Sequence, residues 1–236
     1  MIFLITRPLA DAADLSAALK SRGHSTITSP LFDVVLHDGP TLDTDRFQGV
    51  LATSANGIRA LANRTNQRDC AIYAVGDATA HEAKTLGFAS VQSASGDVHS
   101  LAALIDHLNL PKDRPFLHVA GTTVAGDLAG HLGTLGYDVE RAVLYEVKAV
   151  KRLTEATEAA LKQGDIFGIF VYSPRTGTLL IEALNRADIA KCSETITLFV
   201  LSDAVAVACG SLRWRAVRVA PHPTTEDLLA LIDSGV

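Results

Sequence analysis

Hydrophobic and polar positions along this chain follow two alternating patterns, and together they predict an α/β protein. Short apolar runs of strand length are each followed by a stretch in which apolar residues return every three or four positions. Residues Pro115–Val150 show the unit most plainly. Phe116 to Val119 is an apolar run that leads to Gly121. Val124, Leu128, Leu132 and Leu135 then recur at helical spacing until Gly136, and Val139 opens a second extended run through Val143, Leu144 and Tyr145. Strand, helix, glycine, strand is a βαβ unit. The N-terminus repeats the order, with a strand at Phe3–Ile5, a helix over Asp11–Arg22, Gly23 just past its end and a strand at His24–Thr28. In both units the second strand leads into an extended segment of mixed polarity, Val34–Asp38 and Tyr145–Val150.

Between the units the pattern predicts strands at Phe47–Ala52, Ala71–Val75 and Ala89–Val91, with helices over Ser54–Ala62, Asp77–Leu86 and His99–Leu108. Beyond Val150 it predicts a polar helix over Thr154–Lys162, with a weaker counterpart expected after Pro40. Strands follow at Phe167–Val171, Ile196–Leu201 and Ala216–Val219, and helices at Pro174–Leu184 and Asp203–Cys209. The last helix carries Leu228, Leu229 and Ile232 on one face, and Thr224 with Asp227 predicts a capping box at its start. Laid side by side, the halves match: Thr53-Ser54 with Tyr172-Ser173, Val75-Gly76-Asp77 with Leu201-Ser202-Asp203, and Gly23 with Gly136. The period is roughly 115 to 125 residues, an internal repeat. Each copy has five short apolar strands alternating with helices. The expected architecture is therefore two doubly wound parallel sheets covered on both faces, with a cleft between domains crossed by the two extended segments.

Composition narrows the function. The chain has 236 residues, 48% of them hydrophobic, enough for one large or two small domains, and a formal net charge of -5. No basic block is present, so nucleic acid is not an expected partner. Cys70, Cys192 and Cys209 are too far apart for a disulfide framework or a zinc spacing and are expected to be buried free thiols. The opening MIFLITRP is too short for a membrane span and is cut off by Arg7-Pro8. A cytoplasmic monomer with no membrane association is expected. No GxGxxG follows the first strand, and GxxxxGK[ST], HExxH and GxSxG are absent. His118 falls within a strand and is expected to be packed or hydrogen-bonded.

In doubly wound sheets, ligands sit beyond the C-terminal ends of the strands. Six loops occupy that place: Thr6-Arg7-Pro8, Thr53-Ser54-Ala55-Asn56, Gly76-Asp77-Ala78-Thr79, Gly121-Thr122-Thr123, Ser173-Pro174-Arg175-Thr176 and Ser202-Asp203. All are small or hydroxylic and each precedes a helix. Free N–H groups at helix N-termini bind anions. Two readings are open for each loop, ordinary N-capping or an anion site, and the set as a whole favours a ligand with several acidic groups. Arg7 and Arg175 follow strand ends and are placed either to clamp a carboxylate or, for Arg7, to pair with Asp11. Tyr145 stands where a strand leaves its domain, either as a packed aromatic or as a hydroxyl able to give or take a proton.

These residues resemble the uroporphyrinogen-III synthase family over essentially the whole chain. The resemblance is carried by the opening Ile5-Thr6-Arg7-Pro8, the Thr53–Leu61 stretch TSANGIRAL, VGDATAHEAKTLGF at Val75–Phe88, Leu144-Tyr145-Glu146, YSPRT at Tyr172–Thr176 and PTTEDLLALI at Pro223–Ile232. It implies two flavodoxin-like domains with a swapped N-terminal βαβ unit. Residues 1–33 join 151–236 in one domain and 39–144 form the other, while 34–38 and 145–150 run antiparallel as a two-stranded linker. It also implies the reaction, cyclisation of hydroxymethylbilane with inversion of ring D and loss of water. The substrate is a linear tetrapyrrole with eight carboxylates, and no metal or organic cofactor is implied. Tyr145 becomes the general acid for departure of the hydroxyl, and the loops above become the substrate-binding set.

The chain also departs from the family pattern. The second copy has Ser202-Asp203-Ala204-Val205-Ala206 where Gly-x-x-Thr-Ala is usual, and Arg213-Trp214 stands where a glycine is expected. Ser202 brings a Cβ and Val205 cannot hydrogen-bond. The alternative consistent with these changes is a divergent or inactive two-domain module that binds a polycarboxylate or other small anion without catalysis.

Overall fold

A computed structural model describes residues 1–233. β1 (Ile2–Ile5), α1 (Leu9–Ser21), β2 (Ser25–Thr28) and β3 (Phe32–Leu36) open the chain. β4 (Gly49–Ala52), α2 (Ala55–Arg64), β5 (Ala71–Ala74), α3 (Asp77–Thr85), β6 (Ser90–Ser93), α4 (Val98–Leu108), β7 (Phe116–Gly121), α5 (Leu128–Thr134) and β8 (Val139–Ala149) follow. α6 (Glu155–Gln163), β9 (Ile166–Val171), α7 (Pro174–Arg186), a 3-10 helix at Ala190–Thr195, β10 (Thr197–Val200), α8 (Asp203–Ala208), β11 (Ala216–Val219) and α9 (Thr225–Asp233) complete it. The chain divides into two units, one made of Met1–Asp33 with everything from Lys148 onward, the other of Val34–Val147.

The first unit contains a five-stranded sheet in the order β11-β10-β9-β1-β2, parallel throughout. Its three central strands, β1, β9 and β10, are short and mostly apolar on both sides, as a sheet covered on both faces requires. The pleat sends alternate residues to opposite layers. Phe3, Ile5, Phe170 and Phe199 pack with Ala12, Leu15 and Leu19 of α1 and Leu228, Leu229 and Ile232 of α9. Leu4, Ile169, Val171, Leu198 and Val200 pack on the other side with Leu180, Ala183 and Leu184 of α7 and Val205 of α8. Strand order reverses between β1 and β9, which puts the Thr6-Arg7 and Tyr172-Ser173 turns side by side at this sheet's switch point.

The second unit contains a six-stranded sheet, β3-β8-β7-β4-β5-β6. Its five strands from β8 to β6 are parallel. β3 is antiparallel to β8: Val150 donates to Leu31 at one end of the pair and His37 donates to Leu144 at the other. One face is built by Val50, Ala52, Ile72, Leu117 and Val119 under Ile58 and Leu61 of α2 and Ala83 of α3. The other is built by Leu51, Tyr73 and Phe116 under Leu101 and Ile105 of α4 and Leu128 and Leu132 of α5. Both sheets are thus doubly wound, and the second has a sixth, antiparallel edge strand beyond the five per copy that the pattern predicted.

The helix expected from Val124 begins only at Leu128, because Asp127 caps it by accepting from Gly130 N at 2.9 Å and Gly126 holds φ +75, outside the right-handed helical region. No helix forms between Pro40 and β4. Leu42 N donates to Arg64 O, and the Arg64 side chain reaches the carbonyls of His37 and Pro40, which ties that segment down without regular structure. Of the three free thiols only Cys209 is buried, and burial pushes its pKa up to about 11. Cys70 and Cys192 are half-buried. The capping box at α9 is half formed. Thr224 Oγ1 accepts from Asp227 N at 3.1 Å, but the Asp227 carboxylate turns past Thr224 to accept from His222 N at 3.1 Å.

Candidate functional site

The reversal of strand order in the second unit falls between β4 and β7, so the turns after these two strands flank its switch point. A cavity of about 450 Å³ opens there. Thr53 and Ser54 line it after β4, Thr123–Gly126 after β7, Asp97, Val98 and His99 at the start of α4, and Tyr145 from β8. Tyr145 is buried, and its hydroxyl lies 2.7 Å from Ser54 Oγ. Ser54 is also the N-cap of α2 and accepts from Gly57 N at 3.2 Å. A serine oxygen that accepts from the backbone keeps its own O–H to donate, so Tyr145 Oη has a partner whether it carries its proton or has lost it.

The placing of Tyr145 depends on a register shift. β7 and β8 pair residue for residue from Phe116 and Val139 up to Ala120 and Val143, but Gly121 faces Tyr145. One extra residue, Leu144, is taken up in β8, and such a bulge re-aims the side chain that follows it. The Tyr145 ring then lies over Gly121: a Cβ at Gly121 would meet Cε2 and Cζ of the ring at 2.9 Å. Thr122 N donates to Tyr145 O at 3.0 Å, and Arg141 Nη2 donates to the carbonyls of Gly121 at 2.7 Å and Thr122 at 3.0 Å.

His118 lies beneath this rim on β7, 5% exposed, with Nε2 3.4 Å from Thr53 Oγ1. Burial first, and the Arg141 charge second, lower its pKa from 6.5 to about 4, so it is neutral at pH 7. The sign follows. Between pH 6.5 and 4 the unfolded chain binds the proton and the folded one does not, so this histidine's contribution is fully present above about 6.5 and is lost as pH falls towards 4. His118→Gln is expected to flatten the pH dependence of the urea midpoint in that window, by up to about 1.4 kcal/mol per pH unit. Parallel wild-type and variant profiles would remove His118 from the account.

The other sequence-derived candidates of this unit lie close by. The Asn56 side-chain Oδ1 accepts from Arg59 at 3.0 Å, and Arg59 holds Glu82 of α3 through two bonds of 2.9 and 3.0 Å. That fork ties α2 to α3, whose N-termini begin at Ser54 and Gly76. Gly76 and Asp77 open α3 without a side-chain cap. The Ser93 and Ser95 hydroxyls donate to Asp77 at 2.6 and 2.8 Å and hold its carboxyl below the usual range, and Ala78 and Thr79 follow in the first turn. Asp97, Val98, His99 and the run from Thr123 to Gly126 are lining residues that strand-end reasoning does not reach, Thr123 apart. The signal for them was the glycine-rich approach to each cap, Ser95-Gly96-Asp97 and Ala125-Gly126-Asp127.

The candidates of the first unit gather at its own switch point. Thr6 is fully buried and its hydroxyl donates to Phe170 O at 2.8 Å. Arg7 lies 3.9 Å from Asp11 and 4.4 Å over the Tyr172 ring. Ser173 caps α7 by accepting from Thr176 N at 3.1 Å, and Pro174 follows in the first turn. Arg175 is exposed, with its guanidinium 4.7 Å over Phe32. Ser202 precedes α8 but makes no side-chain cap, Asp203 is exposed, and Val205 is buried in the apolar layer beside Cys209. Among the described residues, no group of three or more His, Cys, Asp or Glu side chains could hold a metal ion, and no helix is long and apolar enough to cross a membrane.

Comparison with solved structures finds this fold elsewhere. A uroporphyrinogen-III synthetase from Helicobacter pylori is 17% identical, with 98% of each chain covered and a TM-score of 0.60. A mutant uroporphyrinogen III synthase from Thermus thermophilus is 16% identical, covering 99% of this chain and 96% of that one, at 0.48. Another structure of that organism's synthase is 17% identical, covering 99% and 98%, at 0.43. No curated protein sequence gives a significant match. The family model described as uroporphyrinogen-III synthase HemD matches residues 13–230. That match spans most of the sequence, and the chain belongs to the uroporphyrinogen-III synthase (HemD) family.

Proposed function

We propose that this protein performs the reaction its family is named for, cyclising hydroxymethylbilane with inversion of ring D and loss of water to give uroporphyrinogen III. The observation that carries the proposal is the 2.7 Å contact between the Tyr145 and Ser54 hydroxyls at the wall of a cavity lined by both polar and apolar side chains. In the proposed mechanism the Tyr145 phenol gives its proton to the substrate's hydroxyl, which leaves as water. Ser54 then donates to the phenolate, and the N-terminal end of α2 stabilises the charge. The azafulvene so formed is attacked by the substituted carbon of ring D to give a spiro intermediate, which opens and recloses with that ring inverted.

The linear substrate also closes spontaneously to the uninverted isomer, so the protein's larger task is to hold one folded conformation. We assign that task to the helix N-termini behind Thr53, Ser54 and Asn56, behind Gly76, Asp77, Ala78 and Thr79, and to Gly121 and Thr122. In the first unit we assign it to Thr6, Arg7, Ser173, Pro174, Arg175, Ser202 and Asp203. Most of these offer N–H groups or a guanidinium to a carboxylate, whereas Pro174, which has no N–H, and Thr122, whose N–H is given to Tyr145 O, shape their loops. We also read the first βαβ unit as swapped into the C-terminal domain, with residues 34–38 and 145–150 as a two-stranded linker.

Tyr145→Phe removes the proton but keeps the ring on Gly121. It is expected to lower the rate of type III formation about 10- to 100-fold without loss of fold. An unchanged rate would remove the phenol from the mechanism. A second proposal, polycarboxylate binding without turnover, draws on one observation: α8 is short and its Val205 is turned into the core. Product binding combined with type I product alone would favour it.

A further inference from the structure

Thr123–Gly126 form one wall of the cavity, and the segment Gly121–Asp127 that carries them is anchored at both ends. At its far end Asp127 caps α5, and Gly126 packs so closely on Val98 of α4 that a Cβ there would lie 2.6 Å from a Val98 methyl. Between the anchors, residues 122–127 are exposed. At the near end, one guanidinium nitrogen of Arg141 takes the carbonyls of both Gly121 and Thr122, at 2.7 and 3.0 Å. These two oxygens stand where the register of β7 and β8 slips. Arg141 faces His118 in that register and lies four residues before Tyr145 on the same strand. β8 therefore carries both the phenol and the cation that fixes the glycine beneath the phenol ring.

We propose that Arg141 is a positioning residue for the reaction, acting on Tyr145 through Gly121 and Thr122 rather than by touching the substrate. This rests on the reading of the chain as a synthase with Tyr145 as its acid. A Cβ-less residue gives Tyr145 a flat seat, but a seat at a slipped register moves unless its carbonyls are held. One cation over two carbonyl oxygens holds them. Because a single nitrogen makes both bonds, a lysine ammonium can make them too, and a neutral glutamine amide makes them more weakly.

The test is a double-mutant cycle read by steady-state kinetics of type III formation. Arg141→Gln is expected to lower kcat about tenfold with KM changed by about twofold or less, and Arg141→Lys to return kcat to within about threefold of wild type. In a Tyr145→Phe background the glutamine substitution should cost only about twofold, because the group it positions is already gone. An equal loss in both backgrounds overturns the proposal. So does a raised KM at unchanged kcat, which would make Arg141 a substrate contact. An NMR titration of His118 checks each variant's fold and the position of the charge: its pKa should rise in Arg141→Gln and stay low in Arg141→Lys. If the glutamine variant does not fold, a folded Arg141→Lys as slow as Tyr145→Phe overturns the proposal instead. A wild type that makes no type III product overturns the proposed function and this inference with it. A wild type that makes it, alongside an equally fast Arg141→Gln, overturns the inference alone.

Discussion

Gly121→Val is expected to lower type III formation about 100-fold while leaving the protein folded. A Cβ at this position already meets the Tyr145 ring at 2.9 Å, and valine adds two methyl groups in the same direction. The ring has to swing off its seat, which parts the phenol from Ser54, now 2.7 Å away. A displacement of about 1 Å from the reactive geometry is enough for a loss of this size. Overpacking adds a stability cost of about 1 to 3 kcal/mol, which a urea titration reads separately. The control is Gly133→Ala in α5, where an added Cβ meets nothing within 4 Å. It should leave the rate alone and stabilise by about 0.5 to 1 kcal/mol. A Gly121→Val protein of wild-type rate would mean that the seat under Tyr145 has no part in the chemistry.

Phe3→Ala is expected to cost about 3 to 5 kcal/mol of stability, more than the overpacking at Gly121. Phe3 is fully buried on β1 and touches four rings, with centroids at 5.2 Å to His24, 5.5 Å to Phe167, 5.5 Å to Phe170 and 5.8 Å to Phe199. It also fills the space above Gly168 of β9, where even a methyl group would meet Phe199 at 2.6 Å and Phe3 at 3.1 Å. β1 pairs with β2 on one side and β9 on the other, so a hole at Phe3 loosens the seam on which the first unit's switch point is built. The urea midpoint of the first unit's unfolding reads the effect. A change below about 1 kcal/mol would show that the aromatic cluster repacks around the loss.

Much of the fold was legible in the sequence because strand and helix announce themselves by period, and because the chain states its plan twice. Gly23 and Gly136 both take positive φ where the helix ends demanded it. Periodicity misled where local chemistry was stronger. Val124 stands at helical spacing from Leu128, yet Gly126 and the Asp127 cap end the helix before it, and this frees Val124 to line the cavity. The weak polar pattern after Pro40 lost to Arg64, whose guanidinium holds that segment by its carbonyls.

For the site, the rule that ligands lie beyond strand ends found Thr53 and Ser54, and the pattern singled out Tyr145 where it expected a strand to leave its domain, although β8 runs on to Ala149. It missed Asp97, His99 and most of the Thr123–Gly126 wall, because these depend on which strands are neighbours in the sheet. The seat of Tyr145 on Gly121 was out of reach for a further reason. A single-residue slip of register leaves no mark on hydrophobic pattern, and Arg141 looks like any exposed cation until its two carbonyl partners are seen. Arg7 shows the opposite case, since its ion pair with Asp11 was the plain reading of an i,i+4 pair and is present.

The most direct measurement is the isomer composition of the product. Hydroxymethylbilane is generated in place, purified protein is added with no metal or cofactor supplied, and the products are oxidised and separated as type I and type III uroporphyrins. Type III is expected to predominate, with a share that rises with protein concentration. Type I alone, from a folded protein at concentrations that outpace spontaneous closure, would contradict the proposed function.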